Sequence, residues 1–144
     1  MSVKNKILSS ILGLLIIATI GAIVYVSHTP PAKGAFTELY VLGVDGKATG
    51  YPHTLAVGEQ GRVLVGIVNH EYQKTAYRLV VAVGGTKSEQ IDHLVLEHGG
   101  KWEQQISFIP ETAGARQKVE FLLYKENEVK PCAMVYLWLD VTET

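Results

Sequence analysis

The chain has one cysteine, Cys132, among its 144 residues. A single thiol makes no internal disulfide, so the folded part must be held by an apolar core rather than by covalent staples. Cys132 itself reads first as a small buried hydrophobe and second as an exposed thiol able to bridge to another chain. A true immunoglobulin domain would place a tryptophan between two cysteines, and this chain cannot. Catalytic spacing is missing too. There is no Gly-x-Ser-x-Gly turn and no glycine-rich loop to cradle phosphate; the glycines stand singly or in pairs between apolar segments, where turn chemistry explains them. Nor is there any Asn-x-Ser/Thr acceptor, low-complexity tract or short repeat.

Charge of neither sign dominates, with 13 basic against 14 acidic residues. The slight acidic excess argues against nucleic acid and against an electrostatic hold on anionic lipid. Of the histidines, only His70, His93 and His98 are candidates to cooperate, and a metal site needs at least three converging ligands. They read as solvated loop residues, as does His53. Glu126 and Glu128 flank Asn127 between Lys125 and Lys130, a solvated hairpin tip rather than a carboxylate pair. The expectation is a protein that is not an enzyme, with no catalytic residue, cofactor or metal.

What is present begins with an uncharged apolar run from Ile7 to Val26, preceded by Lys4 and Lys6 and closed by Ser27-His28-Thr29-Pro30-Pro31. At about 1.5 Å rise per residue such a run makes a helix as long as the hydrocarbon core is thick. It is too long for a secretory signal, and its exit offers no small-x-small cleavage site. The expected organisation is a cytoplasmic tail over 1–6, an uncleaved signal anchor contacting membrane lipid over 7–27, a proline-rich linker over 28–35 and an external domain over 36–144. The lysines keep the amino terminus cytoplasmic and put the domain outside.

After the linker the period changes. Segments rich in Val, Ile, Leu, Tyr and Phe recur about every ten residues between turn signals, the pattern of an all-β sandwich or barrel. Strands are predicted over Phe36–Leu42, Thr54–Val57, Arg62–Asn69, Thr75–Val83, Ser88–Leu96, Trp102–Ile109, Val119–Lys125 and Ala133–Val141. The third, almost wholly apolar, reads as a central strand covered on both faces. The fifth alternates poorly, and Glu89, Asp92 and His93 suit an edge. No helical period of useful length follows Pro31. The fold class is an immunoglobulin-like or fibronectin-like antiparallel β-sandwich of seven or eight strands, preceded by one transmembrane helix.

The last strand is unusual in being apolar or aromatic on both faces: Met134, Tyr136 and Trp138 alternate with Val135, Leu137 and Leu139. Either the strand is sandwiched or the aromatic stripe is a contact surface. Candidate partner-binding residues are therefore Met134, Tyr136 and Trp138, with Tyr51 and Tyr72 as loop residues able to join them. The partner would be another protein or a second copy of the chain, and a surface glycan or peptide is the alternative ligand.

The stretches Phe36-Thr37-Glu38-Leu39-Tyr40-Val41-Leu42-Gly43, Asp45-Gly46-Lys47-Ala48, Tyr51-Pro52, Leu55-Ala56-Val57-Gly58-Glu59, Val65-Gly66-Ile67-Val68-Asn69-His70-Glu71, Phe108-Ile109-Pro110 and Gln117 to Lys125 occur in the order seen in the domain of unknown function 1616. The chain resembles that family over nearly the whole external domain. The resemblance implies an outward-facing β-sandwich on an archaeal or bacterial membrane protein, and no catalytic residues. Relatives of this kind commonly carry several membrane helices, whereas this chain has one apolar run, and His53 stands where an asparagine acceptor is expected. Asn69-His70-Glu71 is the most polar block of the match; Asn69 or Glu71 is expected to hydrogen-bond the following turn.

Overall fold

The computed structural model describes residues 3–10 and 34–143, in a chain that divides into the units Met1–Gly34 and Ala35–Thr144. Residues 3–10 are helical, and Ser10 Oγ donates to the Lys6 carbonyl at 3.0 Å. Most of the expected anchor, and the proline linker up to residue 33, lie outside the described residues. Among the described residues no helix is long and apolar enough to cross a membrane.

The second unit is built from eight strands: β1 (Phe36–Leu42), β2 (Thr54–Ala56), β3 (Gly61–His70), β4 (Thr75–Val83), β5 (Thr86–Leu96), β6 (Lys101–Phe108), β7 (Gly114–Lys125) and β8 (Ala133–Thr142). They form a three-stranded sheet in the order β1-β3-β6 and a five-stranded sheet in the order β2-β8-β7-β4-β5. All pairings are antiparallel except β2 with β8, which run parallel over three residues. Alternation sends Val63, Val65 and Ile67 inward from β3, Tyr77, Leu79, Val81 and Val83 from β4, and Val119, Phe121 and Leu123 from β7. Phe108 and Phe121 meet edge to face across this core.

β3 is central to its sheet, as expected, and its outer side is closed by a neighbour. Gly66 faces Tyr40 on β1 and Glu103 on β6. The Tyr40 ring lies where a Cβ on Gly66 would be, and its hydroxyl donates to Glu103 beyond. Only glycine permits that crossing, and the aromatic ring in turn covers the bare backbone. Burial first, and then the Glu103 bond, push the Tyr40 hydroxyl pKa up; the same bond holds Glu103 below its ordinary value.

Asn69, fully buried at the end of β3, is the hub of the neighbouring loops. Its Nδ2 donates to the carbonyls of Gln73 and Leu96, both at 2.8 Å, and its Oδ1 accepts the Glu71 N–H at 2.8 Å. Its backbone pairs with Gly99 and Gly100. Every polar atom of the side chain is thereby satisfied, which is what a buried amide requires. Nearby, Tyr77 donates to Thr37 Oγ1 at 2.8 Å and Thr37 donates to Glu71 Oε1 at 3.0 Å. Lys125 Nζ reaches the same carboxylate at 2.9 Å. This relay ties β1 to β4 and β7.

Strand boundaries differ from the periodicity by one or two residues in β2, β3, β5, β6 and β8, and by five at the start of β7. β7 starts at Gly114, before the apolar alternation becomes visible, because its first residues form a bulge with unpaired register between Gly114 and Gln117. β5 is the edge strand expected, and its poor alternation has a cause: its pairing with β4 slips between Tyr77 and Leu79 and again between Val81 and Ala82. Each slip reverses the in-out sense of the following residues.

Candidate interaction face

β8 lies against β7 along its length, but β2 covers its other side only from Thr54↔Asp140 to Ala56↔Thr142. The inner side chains Leu139 and Val141 are buried, and Val135 and Leu137 pack partly on the core. The outer ones are Met134, Tyr136 and Trp138, exposed at 48%, 48% and 49%. The stripe is therefore an exposed sheet face, not the inside of a sandwich. Tyr136 and Trp138 meet edge to face with ring centroids 5.7 Å apart.

The neighbouring strands supply cations to this face. Lys118 Nζ lies 4.5 Å from the centre of the Tyr136 ring, and the Arg116 guanidinium lies 5.2 Å from that of Trp138. One strand further over, Arg78 covers Tyr124 at 4.5 Å. A cation over an aromatic face is held by the ring quadrupole, a contact worth about 0.5–1 kcal/mol at an exposed site. Among the described residues, none of the three makes an ion pair. Arg116 is set in place by the β7 bulge. Its φ of 51° is in the left-handed region, and its N–H donates to Asp140 Oδ1 on β8 at 2.8 Å. A non-glycine residue held there stores backbone strain, and the bulge aims its side chain across the sheet onto Trp138.

The two remaining candidates lie apart from the stripe. Tyr51 is half-buried, packs on the core and donates its hydroxyl to the Val41 carbonyl at 2.8 Å, so its polar tip is spent inside the fold. Tyr72, in the β3–β4 turn, is exposed with φ 62°. Its ring stacks on His98 at 4.7 Å and its N–H donates to His98 Nδ1. Both tyrosines read by position as loop residues, but only their contacts separate a wedge from a surface. Arg116, Lys118, Arg78 and Tyr124 also belong to this face, although none is a candidate from sequence. Lys118, Glu120, Leu122 and Tyr124 alternate with the inward Val119, Phe121 and Leu123, and this was the available signal.

The histidines stand in separate settings: His70 beside Glu38 at 3.3 Å, His93 beside Glu126 at 3.3 Å, and His98 under Tyr72. Among the described residues no three of His, Cys, Asp and Glu gather as a metal site. A polar cleft of about 370 Å³ opens beside the β5 bulge, between Arg78, Asp92, His93 and Glu126. Cys132, first read as buried, is exposed in the β7–β8 connection. Its thiol is nonetheless desolvated enough to push its pKa up, against the lowering pull of Lys125. It is neither a core residue nor an activated thiolate.

In fold, the chain is similar to the CARDB domain of PF1109 from Pyrococcus furiosus. In the crystal structure of that domain in complex with di-metal ions, the likeness covers 79% of this chain and 94% of the other, with 12% identity and a TM-score of 0.55. In its solution structure the figures are 75%, 97%, 16% and 0.53. Identity this low speaks for the shared sandwich alone. No curated protein matches significantly in sequence. The pattern of the domain of unknown function DUF1616 matches residues 30–140, and the chain belongs to that family.

Proposed function

We propose that this protein is a membrane-anchored, extracytoplasmic interaction module, held by residues 7–27 and acting as a small accessory subunit beside a larger membrane or envelope assembly. The observation that carries the reading is the half-exposed stripe Met134, Tyr136 and Trp138, backed by Arg116 and Lys118, which have no ion pair among the described residues. Exposed aromatics beside an arginine are the usual anchors of protein recognition, worth about 2 kcal/mol or more each when truncated. The anchor rests on the length and lack of charge of the apolar run.

The test is purification of the full-length protein from its native membrane in gentle detergent, beside a Tyr136→Ala/Trp138→Ala double variant. A stoichiometric partner that survives with the native face and is lost with the variant is expected. Recovery of the chain alone in both cases would remove the reading. A second reading, a receptor domain for a surface glycan or peptide, draws on the same exposed aromatics, and a glycan-array or thermal-shift screen without stabilisation would count against it.

A further inference from the structure

The open side of β8 carries more than side chains. Asp140 donates its N–H to the His53 carbonyl and Thr142 accepts from Val57, both on the side away from β7. Even-numbered residues of β8 therefore turn their backbone groups outward, and odd-numbered ones pair with β7. By the same alternation Met134, Tyr136 and Trp138 present their N–H and C=O groups to the open edge. Among the described residues no strand pairs with them. Three donor and acceptor pairs, about 7 Å apart, thus stand in a regular row of the kind that templates another strand.

The edge and the aromatic face share the same three residues. We propose that β8 receives an extended segment of a protein partner as an added strand, and that this segment carries acidic side chains at alternate positions. The inference rests on the reading of this face as an interaction surface and names how the partner is held. The acidic character follows from charge. Beside β8 the two cations Arg116 and Lys118 lie over its rings without an ion pair among the described residues, while of the two acids there Asp140 is already engaged with the Arg116 N–H. Lys118 and Arg116, which belong to β7, lean over the β8 rings toward the edge. An added strand would lie about 4.8 Å beyond β8. Carboxylates on its outer side would then meet both cations, while its backbone completes the ladder. Ladder bonds supply affinity and alternate side chains supply choice, the general logic of strand addition.

The probe is an alternating Glu-Val octapeptide, titrated into the isotopically labelled full-length chain in micelles, with an alternating Lys-Val octapeptide as control. The expected result is a set of backbone shifts and slowed amide exchange centred on Met134, Tyr136 and Trp138, with the lysine peptide inert. Arg116→Glu with Lys118→Glu should raise the dissociation constant at least about tenfold, as reversal of facing charges does. Tyr136→Pro removes an outward N–H while sparing every β7 bond, and should abolish the shifts. Three results would overturn the proposal: equal binding of both peptides, amides at these positions already protected in the free chain, or a peptide-free dimer that Tyr136→Pro dissolves. Should Tyr136→Pro leave the native partner bound while Tyr136→Ala/Trp138→Ala releases it, strand addition fails and the interaction face stands.

Discussion

The five-stranded sheet has two long margins, and they are built in opposite ways. β5 is charged, bulged twice and broken by His93 at φ 58°; Glu89, Asp92 and the slipped register make it a poor template. β8 has no bulge within Met134–Leu139, no charge and no proline over the same span. Natural sheets blunt their margins with bulges and charge because an unprotected one invites another chain. Here one margin is blunted thoroughly and the other, before the three residues that β2 covers, is not. The domain carries the means of edge protection and withholds them from the strand that bears its exposed aromatics.

The largest effect that sharpens this contrast lies beneath the margins. Leu139, fully buried under β8, should cost about 2–5 kcal/mol when cut to alanine, whereas Ile91, half-buried under β5, should cost less than half as much. Urea unfolding of the two variants tests it, and equal losses would mean that the margins are equally supported. Next in size is Asn69→Ala, expected to cost about 1–3 kcal/mol because buried backbone groups lose their partners. Hydrogen exchange should quicken at the end of β5 and in residues 71–74 while the β8 amides bonded to β7 stay protected. Loss spread evenly over both margins would break the distinction.

Smaller still, Arg116→Gly should leave stability unchanged or raise it by up to about 1 kcal/mol by relieving the left-handed backbone, yet weaken partner binding. A variant that loses stability and keeps binding would show that the bulge serves the fold alone. The smallest effect concerns the β7–β8 connection. Burial raises the Cys132 pKa above its ordinary 9.0, so alkylation of the folded protein at neutral pH should be slower than that of an unfolded cysteine. The sign for stability follows. The folded state holds the thiol proton more tightly, so this contribution is complete below the unfolded value and is lost as pH rises through the folded one. Lys125, raised by its bond to Glu71, behaves alike at more alkaline pH. Faster alkylation would mean an activated thiolate.

Much of the fold is legible in the residues. Alternation of Tyr77, Leu79, Val81 and Val83 places β4 to the residue, and the Asp-Gly and Gly-Gly signals place turns. The aromatic stripe on β8 is legible for the same reason, since two apolar faces on one strand demand a second explanation. What period cannot convey is which strand neighbours which. β2 is legible as a short strand, but the open margin of β8 depends on its parallel pairing with residues 140–142, which period does not reveal. Nor does it convey a bulge: Asp92-His93 reads only as an edge signal, and Ala115-Arg116 falls before the predicted strand. Arg116 escapes for that reason, being a surface arginine until the bulge turns it onto Trp138. Tyr51 shows the converse, because a tyrosine in a Tyr-Pro loop looks free until its hydroxyl finds the Val41 carbonyl.

The parallel pairing of β2 with β8 joins one of the first strands of the sandwich to its last. The sheet therefore stays incomplete until β8 has been made, and until then β7 is its margin, with Lys118 and Glu120 spaced along its outer face. Charged side chains on a margin are one of the devices that discourage edge pairing. The open margin comes into being only with β8, so that the edge proposed to receive a partner strand is made by the same step that joins β2 to the rest of its sheet.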